Sequence, residues 1–178
     1  MNILYLNHNV IWRSTFHRCF LFARELVRLG HKVTIITNSP TEKWHFKEYI
    51  YDSVQIVESP DWLWGSLRSG WDPVNVFRRC WYLRSQQYDL VHAFDTRPTV
   101  ILPALFYKYL YRVPLVIDWA DWWGRGGAIR LRRLKLLNLL FSPVETFFEE
   151  FFRRYANYTT VISKSLHKRA KQLGISTN

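Results

Sequence analysis

The chain predicts an α/β domain, a single doubly wound parallel sheet of about six strands with helices on both faces. Three observations carry this reading. The first is a βαβ unit at the N-terminus: strand Asn2–Asn7, helix over about Thr15–Leu29, a stop at Gly30 and strand Lys32–Thr37. A right-handed crossover of this kind makes a parallel sheet. The second is Tyr88–Phe94, whose nearly continuous apolar run suits a strand covered on both faces. The third is the alternation of strand and helix patterns along all 178 residues.

Each element has its own justification. In the first helix Phe16, Phe20, Ala23 and Val27 share a face with Cys19, Leu26 and Leu29 beside them, while Arg18, Arg24, Glu25 and Arg28 face away. Ser14 or Thr15 supplies its cap and Gly30 its stop. The third strand is Val54–Glu58. Asp72-Pro73 opens the next helix, with Asp as N-cap and Pro at the first helical position, and the helix runs to about Ser85. After the fourth strand, Tyr88–Phe94, a helix covers roughly Thr99–Tyr111, with a kink or late start expected at Pro103. Pro114–Asp118 is the fifth strand, followed by a Trp/Gly/Arg-rich loop, Trp119–Gly127. A helix over Thr146–Ala156 places Phe147, Phe148, Phe151, Phe152 and Tyr155 on one face and the pairs Glu149–Arg153 and Glu150–Arg154 on the other. Thr159–Ile162 is the sixth strand. Ser163 caps a last helix, Lys164–Leu173.

Composition narrows the classes of function. Apolar residues make up 48% of the chain, which excludes a disordered protein. Lys plus Arg outnumber Asp plus Glu by 25 to 14, a net charge of +11, so an anionic partner is expected. Nucleic acid is not the expected one, because no helix-turn-helix, zinc-finger or RNP pattern occurs. Cys19 and Cys80 lie in predicted helices without metal-ligand spacing and read as free thiols in a reducing compartment. Asn7-His8-Asn9 interrupts the first apolar run, so the N-terminus does not read as a signal peptide. The nearest approach to a membrane span, Pro98–Ile117, is broken by Lys108, Arg112 and two prolines. A cytoplasmic chain with at most peripheral membrane contact is the expectation.

In such a sheet the loops after the first, fourth and fifth strands converge at one edge. They supply Asn7, His8, Arg13 and His17; then His92, Asp95 and Arg97; then Asp118, Asp121, Trp122, Trp123 and Arg125. Indole faces cover apolar ligand surfaces, carboxylates bind hydroxyls, and Arg grips phosphate with two hydrogen bonds. His92 reads equally as a core histidine or as a ligand contact. Trp119 reads as core. The glycines of Gly124-Arg125-Gly126-Gly127 read as giving a mobile loop. A second surface is Arg125, Arg130, Arg132, Arg133 and Lys135, interleaved with leucines and Ile129. It suits either an anionic bilayer or a solvated face, and Trp62, Trp64 and Trp71 are candidate interfacial anchors.

Four segments resemble the N-terminal half of GT-B glycosyltransferases, particularly glycosyltransferase family 4. They are Gly30-His31-Lys32-Val33-Thr34 within the βαβ unit; Tyr88-Asp89-Leu90-Val91-His92-Ala93; Val113-Pro114-Leu115-Val116-Ile117; and Glu149 with Arg154-Tyr155-Ala156-Asn157 and Val161-Ile162-Ser163. The resemblance implies a Rossmann-like domain over residues 1–178, one half of a GT-B architecture, that binds the acceptor in sugar transfer. Asp121 is the candidate catalytic carboxylate, though not as a general base, since retaining transferases often have no obvious one. Acceptor contacts are implied for Asn7, His8, Arg13, His17, His92, Asp95, Asp118, Trp122, Trp123 and Arg125. No cofactor is implied in this chain: the nucleoside-diphosphate sugar is expected on a donor domain that is separate or missing. The acceptor is a sugar or a lipid-linked molecule, with Arg130, Arg132, Arg133 and Lys135 on an anionic membrane surface. No metal site is expected. Two positions depart from the family pattern. The loop after the first strand has no glycine pair, and Ala120 stands where a histidine is common, which shifts weight to Asp118, Asp121 and the tryptophans. The alternative functions are a non-catalytic binding or scaffold subunit of the same half-fold and, more remotely, a nucleic-acid-binding module.

Overall fold

The computed structural model describes residues 1–62, 70–127 and 135–177, with the backbone alone for 135–140. Seven strands form one sheet: β1 (Asn2–Val10), β2 (Lys32–Asn38), β3 (Lys47–Tyr51), β4 (Val54–Ser59), β5 (Leu90–Phe94), β6 (Leu115–Trp119) and β7 (Tyr158–Val161). Their order is β3-β4-β2-β1-β5-β6-β7, and every pairing is parallel except β3 with β4. The helices among the described residues are α1 (Thr15–Arg28), α2 (Pro73–Leu83), α3 (Pro98–Tyr111), α4 (Lys135–Phe151) and α5 (Lys164–Gln172). The chain winds outward from β1 to β2 and then crosses back to β5. The switch point therefore lies between β1 and β5, where such sheets open a crevice at their carboxyl ends.

Alternate residues of the strands feed two cores. Ile3, Tyr5, Ile35, Ile56 and Phe94 pack with Phe16, Cys19, Phe20 and Ala23 of α1. Leu4, Leu6, Ile36, Val91, Ala93, Leu115 and Ile117 pack with Leu83 of α2 and Ile101, Ala104 and Tyr107 of α3, with Phe148 and Phe152 against them. No described helix is long and apolar enough to cross a membrane.

Several local signals act as expected. Gly30 at φ 86° ends α1, with its N–H donating to the Val27 carbonyl and that of His31 to Leu26. This is the paired-bond cap that a left-handed glycine allows. Asp72 caps α2 by accepting from the Val74 and Asn75 amides at 2.8 and 3.3 Å. Cys19 and Cys80 are free thiols, the first buried and the second half-buried.

Other elements differ from the expectation. β3 was absent from it: it is an edge strand joined to β4 through Asp52 and Ser53, both at positive φ. β1 runs on through Asn7-His8-Asn9 to Val10, where the Asn7 side-chain amide and the Asn9 carbonyl bond to Thr37 of β2. Ser14 sits at the N-cap of α1 but makes no side-chain cap bond. α4 begins at Lys135, earlier than Thr146, and contains Pro143. Its aromatic face is divided: Phe148 and Phe152 enter the core, while Phe147 is 49% exposed. Glu149 and Arg153, expected on the solvent side, are both buried.

One buried cation from α2 organises the crevice end of β1, β2 and β4. Arg79 Nε donates to Ser59 Oγ (2.9 Å) and Asn75 Oδ1 (3.0 Å). Its Nη1 donates to the carbonyls of Asn7 (2.9 Å) and Thr99 (2.8 Å), and its Nη2 to Asn38 Oδ1. The Thr99 carbonyl is the one that Pro103, lacking an N–H, leaves without a helical donor. Arg79 fills that place, and α3 runs unbroken through Pro103. Replacing Arg79 by Met would leave these acceptors buried without their donor. We expect a loss of stability of about 3 kcal/mol or more, read from urea denaturation. An unchanged midpoint would remove this role.

Candidate functional site

The ends of β1, β5 and β6 meet over the switch point. His8, near the end of β1, is buried. Its Nε2 lies 3.1 Å from Asp95 Oδ2, and its Nδ1 lies 3.4 Å from Arg97 Nη1. Burial, followed by the charge of Arg97, pulls the His8 imidazole down to about 4, so it is neutral at pH 7. A neutral ring with its proton on Nε2 donates to Asp95 and accepts from Arg97. Asp95 follows β5 at φ 101°, a strained backbone for a residue with a side chain. Burial acts to raise its carboxyl, but the His8 hydrogen bond with Arg97 and Arg153 holds it well below the usual carboxylate range.

Asp118, near the end of β6, has a side chain only 2% exposed. Its carboxylate accepts Nε and Nη2 of Arg18 from α1, at 2.9 and 3.1 Å, and the Thr160 hydroxyl of β7 at 2.7 Å. Arg153 closes the floor. It donates to the Asp118 carbonyl at 3.3 Å and lies 4.3 Å from the centroid of the Trp119 ring. Burial pulls its guanidinium down to about 10, which leaves it charged at neutral pH. Above these groups is a small cleft lined by Thr15, Asp95, Asp118, Ala120, Asp121, Trp123 and Arg153. Asp95 and Asp118 are committed to cations within the protein. Asp121 makes no hydrogen bond or ion pair with the described residues. Partial burial, and then the charge of Asp95, raises its carboxyl.

The loop after β6 is clamped from α4. Glu149 Oε1 accepts from the Trp119 indole (3.0 Å) and the Trp123 amide (2.9 Å), and its Oε2 accepts from the Gly124 amide. Thr146 Oγ1 accepts from the Arg125 amide at 3.1 Å. A Cβ on Gly124 would collide with the Glu149 carboxylate and lie 3.1 Å from Thr146 Cα. This glycine thus serves close approach to α4, where the sequence suggested only mobility.

The predicted residues therefore separate. His8, Asp95, Asp118, Asp121 and Trp123 come together, and Arg97 joins them, 5.7 Å from the Trp123 ring. Asn7 is buried and bonded to Thr37 and Arg79. His92 lies within β5 beneath α1, its ring 5.1 Å from Tyr5 and 4.3 Å from Phe94. Arg13 and His17 are exposed at the start of α1, outside the cleft lining. Trp122 packs toward Trp119 and Leu166, away from the cleft. Arg125 lines a groove of about 430 Å³ beside Phe147 and Phe151 of α4. Trp71 is not an outward anchor: its ring lies 5.4 Å from Phe148 in a second cleft that shares Asp95 and Trp123 with the first. Trp64, Arg130, Arg132, Arg133 and the side chain of Lys135 lie outside the described residues. Sequence reasoning missed Glu149 and Arg153 as parts of this site. Their spacing of four matches a surface ion pair, and only the glutamate's place in the family pattern pointed elsewhere.

The desolvated imidazoles of His8 and His92 predict a pH dependence. Burial holds His92, like His8, near 4, against an ordinary value of 6.5. Between those values the unfolded chain binds more protons, so stability falls as the pH drops from about 6.5 to 4. Replacing His92 by Phe should remove its share of that slope, at most about 3 kcal/mol. Urea midpoints across the window test this. The raised carboxyls of Asp121 and Glu149 act in the opposite sense, but they are common to both proteins. A variant with the wild-type slope would assign the acid sensitivity to other groups.

Comparison with known proteins agrees with the fold. A model of Glycosyltransferase Family 4 matches residues 18–178. Sucrose-phosphate synthase from Thermosynechococcus elongatus superposes with a TM-score of 0.61 at 12% identity, over 99% of this chain and 47% of that one. A second structure of that synthase gives a TM-score of 0.59 at 10% identity, over 99% of this chain and 86% of that one. At such identities the likeness is one of fold, and the chain spans about half the length of the first synthase structure. No curated protein matches it in sequence. The seven-stranded sheet is the Rossmann-like half of a GT-B architecture, and with the family model matching nearly its whole length, the chain belongs to glycosyltransferase family 4.

Proposed function

We propose that this domain binds the acceptor in a glycosyl transfer whose nucleoside-diphosphate sugar is held by a second domain, on the same or another polypeptide. The observation that carries the reading is Asp121. Among the described residues it is the cleft carboxylate that makes no direct ion pair, beside Asp95, Asp118 and the Trp123 indole. A carboxylate accepts hydrogen bonds from sugar hydroxyls, and an indole covers a sugar's C–H face. In this reading Asp121 accepts a hydrogen bond from the attacking hydroxyl and orients it. His8, Arg97 and Glu149 hold the cleft's shape and do not touch the acceptor. Peripheral attachment to a cytoplasmic membrane surface, with a lipid-linked acceptor, fits the net charge of +11.

The test is transfer from a nucleoside-diphosphate sugar by the chain recovered with its native donor domain. Asp121→Asn should lower kcat/KM by about a hundredfold or more with the melting temperature unchanged. Undiminished transfer by a folded Asp121→Asn protein would move the chemistry away from this cleft. Absence of transfer in the wild-type assembly would favour the scaffold role.

A further inference from the structure

The outward face of α2 carries a row of exposed aromatic rings with guanidinium groups laid over them. Phe77 is 67% exposed and Trp81 63%, while Asn75, Arg79 and Leu83 on the opposite side of the helix are buried. The Phe77 and Trp81 rings lie 6.3 Å apart. Arg84 sits 4.7 Å above the Trp81 ring. Arg78 extends the row sideways, 5.6 Å from the ring of Trp44, which is 60% exposed. Trp44 in turn lies 5.9 Å from Trp62, which is 47% exposed. Four large rings thus stand in water on one side of the molecule. None of them lines the cleft at Asp121, the cleft at Trp71 or the groove beside α4.

From this arrangement we propose that the α2 face, with Trp44 and Trp62, is the surface by which the domain lies on an anionic bilayer. The chemistry of the row selects this occupant. Trp is the side chain most suited to the headgroup boundary, with an apolar body and a polar N–H. Guanidinium groups over the rings place positive charge at the depth of lipid phosphates when the rings enter the acyl boundary. The helix contributes Arg78 and Arg84 to this face and no carboxylate. Of the neighbouring acids, Asp61 and Asp72 are buried, and those nearer water are Glu42, beside Lys43, and Glu48 on β3, next to Lys47. The outer side of a helix is convex and lacks a groove for a peptide. This assignment rests on the membrane part of the function proposed above and not on sugar transfer, and it moves the contact from residues 130–135 to α2.

Sedimentation with vesicles of phosphatidylcholine, with and without phosphatidylglycerol, tests it on the full chain. The wild type should pellet with the phosphatidylglycerol vesicles and remain in solution with phosphatidylcholine alone. The Phe77→Ala/Trp81→Ala double variant should bind at least about tenfold more weakly, and Arg84→Glu should also weaken binding. Phe147→Ala, on the α4 face, should bind as the wild type does. All these side chains are exposed, so melting temperatures should stay unchanged and report any variant that does not fold. If the wild type ignores both vesicles, the membrane reading itself fails. If it binds but the α2 variants bind equally well, or Phe147→Ala abolishes binding, the bilayer contact lies elsewhere and the α2 assignment is overturned. Binding to single-stranded RNA that the double variant loses, without vesicle binding, would give the face to nucleic acid instead.

Discussion

The guanidinium of Arg79, sealed within the domain, fixes the relation of β1, β2, β4, α2 and α3 at the crevice end of the sheet. A buried cation this far from water is stable only if its donors are occupied. Here they are taken mostly by neutral oxygens, two main-chain carbonyls and the side chains of Ser59, Asn75 and Asn38, with Asp61 and Asp72 adding attraction from nearby. Satisfying the cation therefore requires five segments to arrive together. Two of the anchored carbonyls, those of Asn7 and Thr99, lie one and two residues from His8 and Arg97, the groups that hold Asp95. The left side of the cleft is thereby placed by a residue of α2 that does not line it.

The other side rests on α4 and the 3-10 turn (Phe152–Tyr155) that follows it. Glu149 gathers the loop after β6 through two amides and an indole, and Arg153 supports Asp118 from below. Burial raises the Glu149 carboxyl, and the nearby Arg153 and the hydrogen bonds from the loop offset part of that rise. The strained backbone at Asp95 lies between these two supports, where a rare conformation persists because its surroundings determine it on both sides. Cleft carboxylates paired inside the protein hold shape. Asp121 makes no such pair among the described residues.

Much of this fold was legible in the sequence because its signals are local. Gly30 and Asp72-Pro73 mark helix ends by backbone chemistry that tertiary context did not alter, and the apolar runs of β2, β5 and β6 needed only counting. What escaped notice was set by distant partners. Asn7-His8-Asn9 reads as a break in a strand, yet it continues β1, where Thr37 meets the Asn7 amide and the Asn9 carbonyl and the Asp95–Arg97 pair meets His8. The hairpin from β3 to β4 turns at Asp52-Ser53 without a glycine, and β3 is mostly exposed, so neither turn chemistry nor alternation announced it. Glu149 and Arg153 have the same spacing whether their side of the helix faces water or core. The convergence of strand ends on Asp95, Asp118 and Asp121 followed from topology. The departure of Asn7, His92 and Trp122 from that group depended on where individual side chains turn.

The two outer strands of the sheet are finished differently, and this bears on how the molecule avoids its own copies. An unpaired strand margin invites a neighbour's backbone to continue the ladder. On one margin β3 runs against the direction of the other strands and bears the charges of Lys47 and Glu48. On the other, the short β7 receives the returning C-terminal segment: the Thr159 amide donates to the Ser176 carbonyl, and Thr177 bridges Thr159. A protein with this many aromatic side chains in water would otherwise offer both the adhesive and the template for polymerisation. Charge on one margin and the returning segment on the other leave fewer free ladder positions for a neighbouring copy.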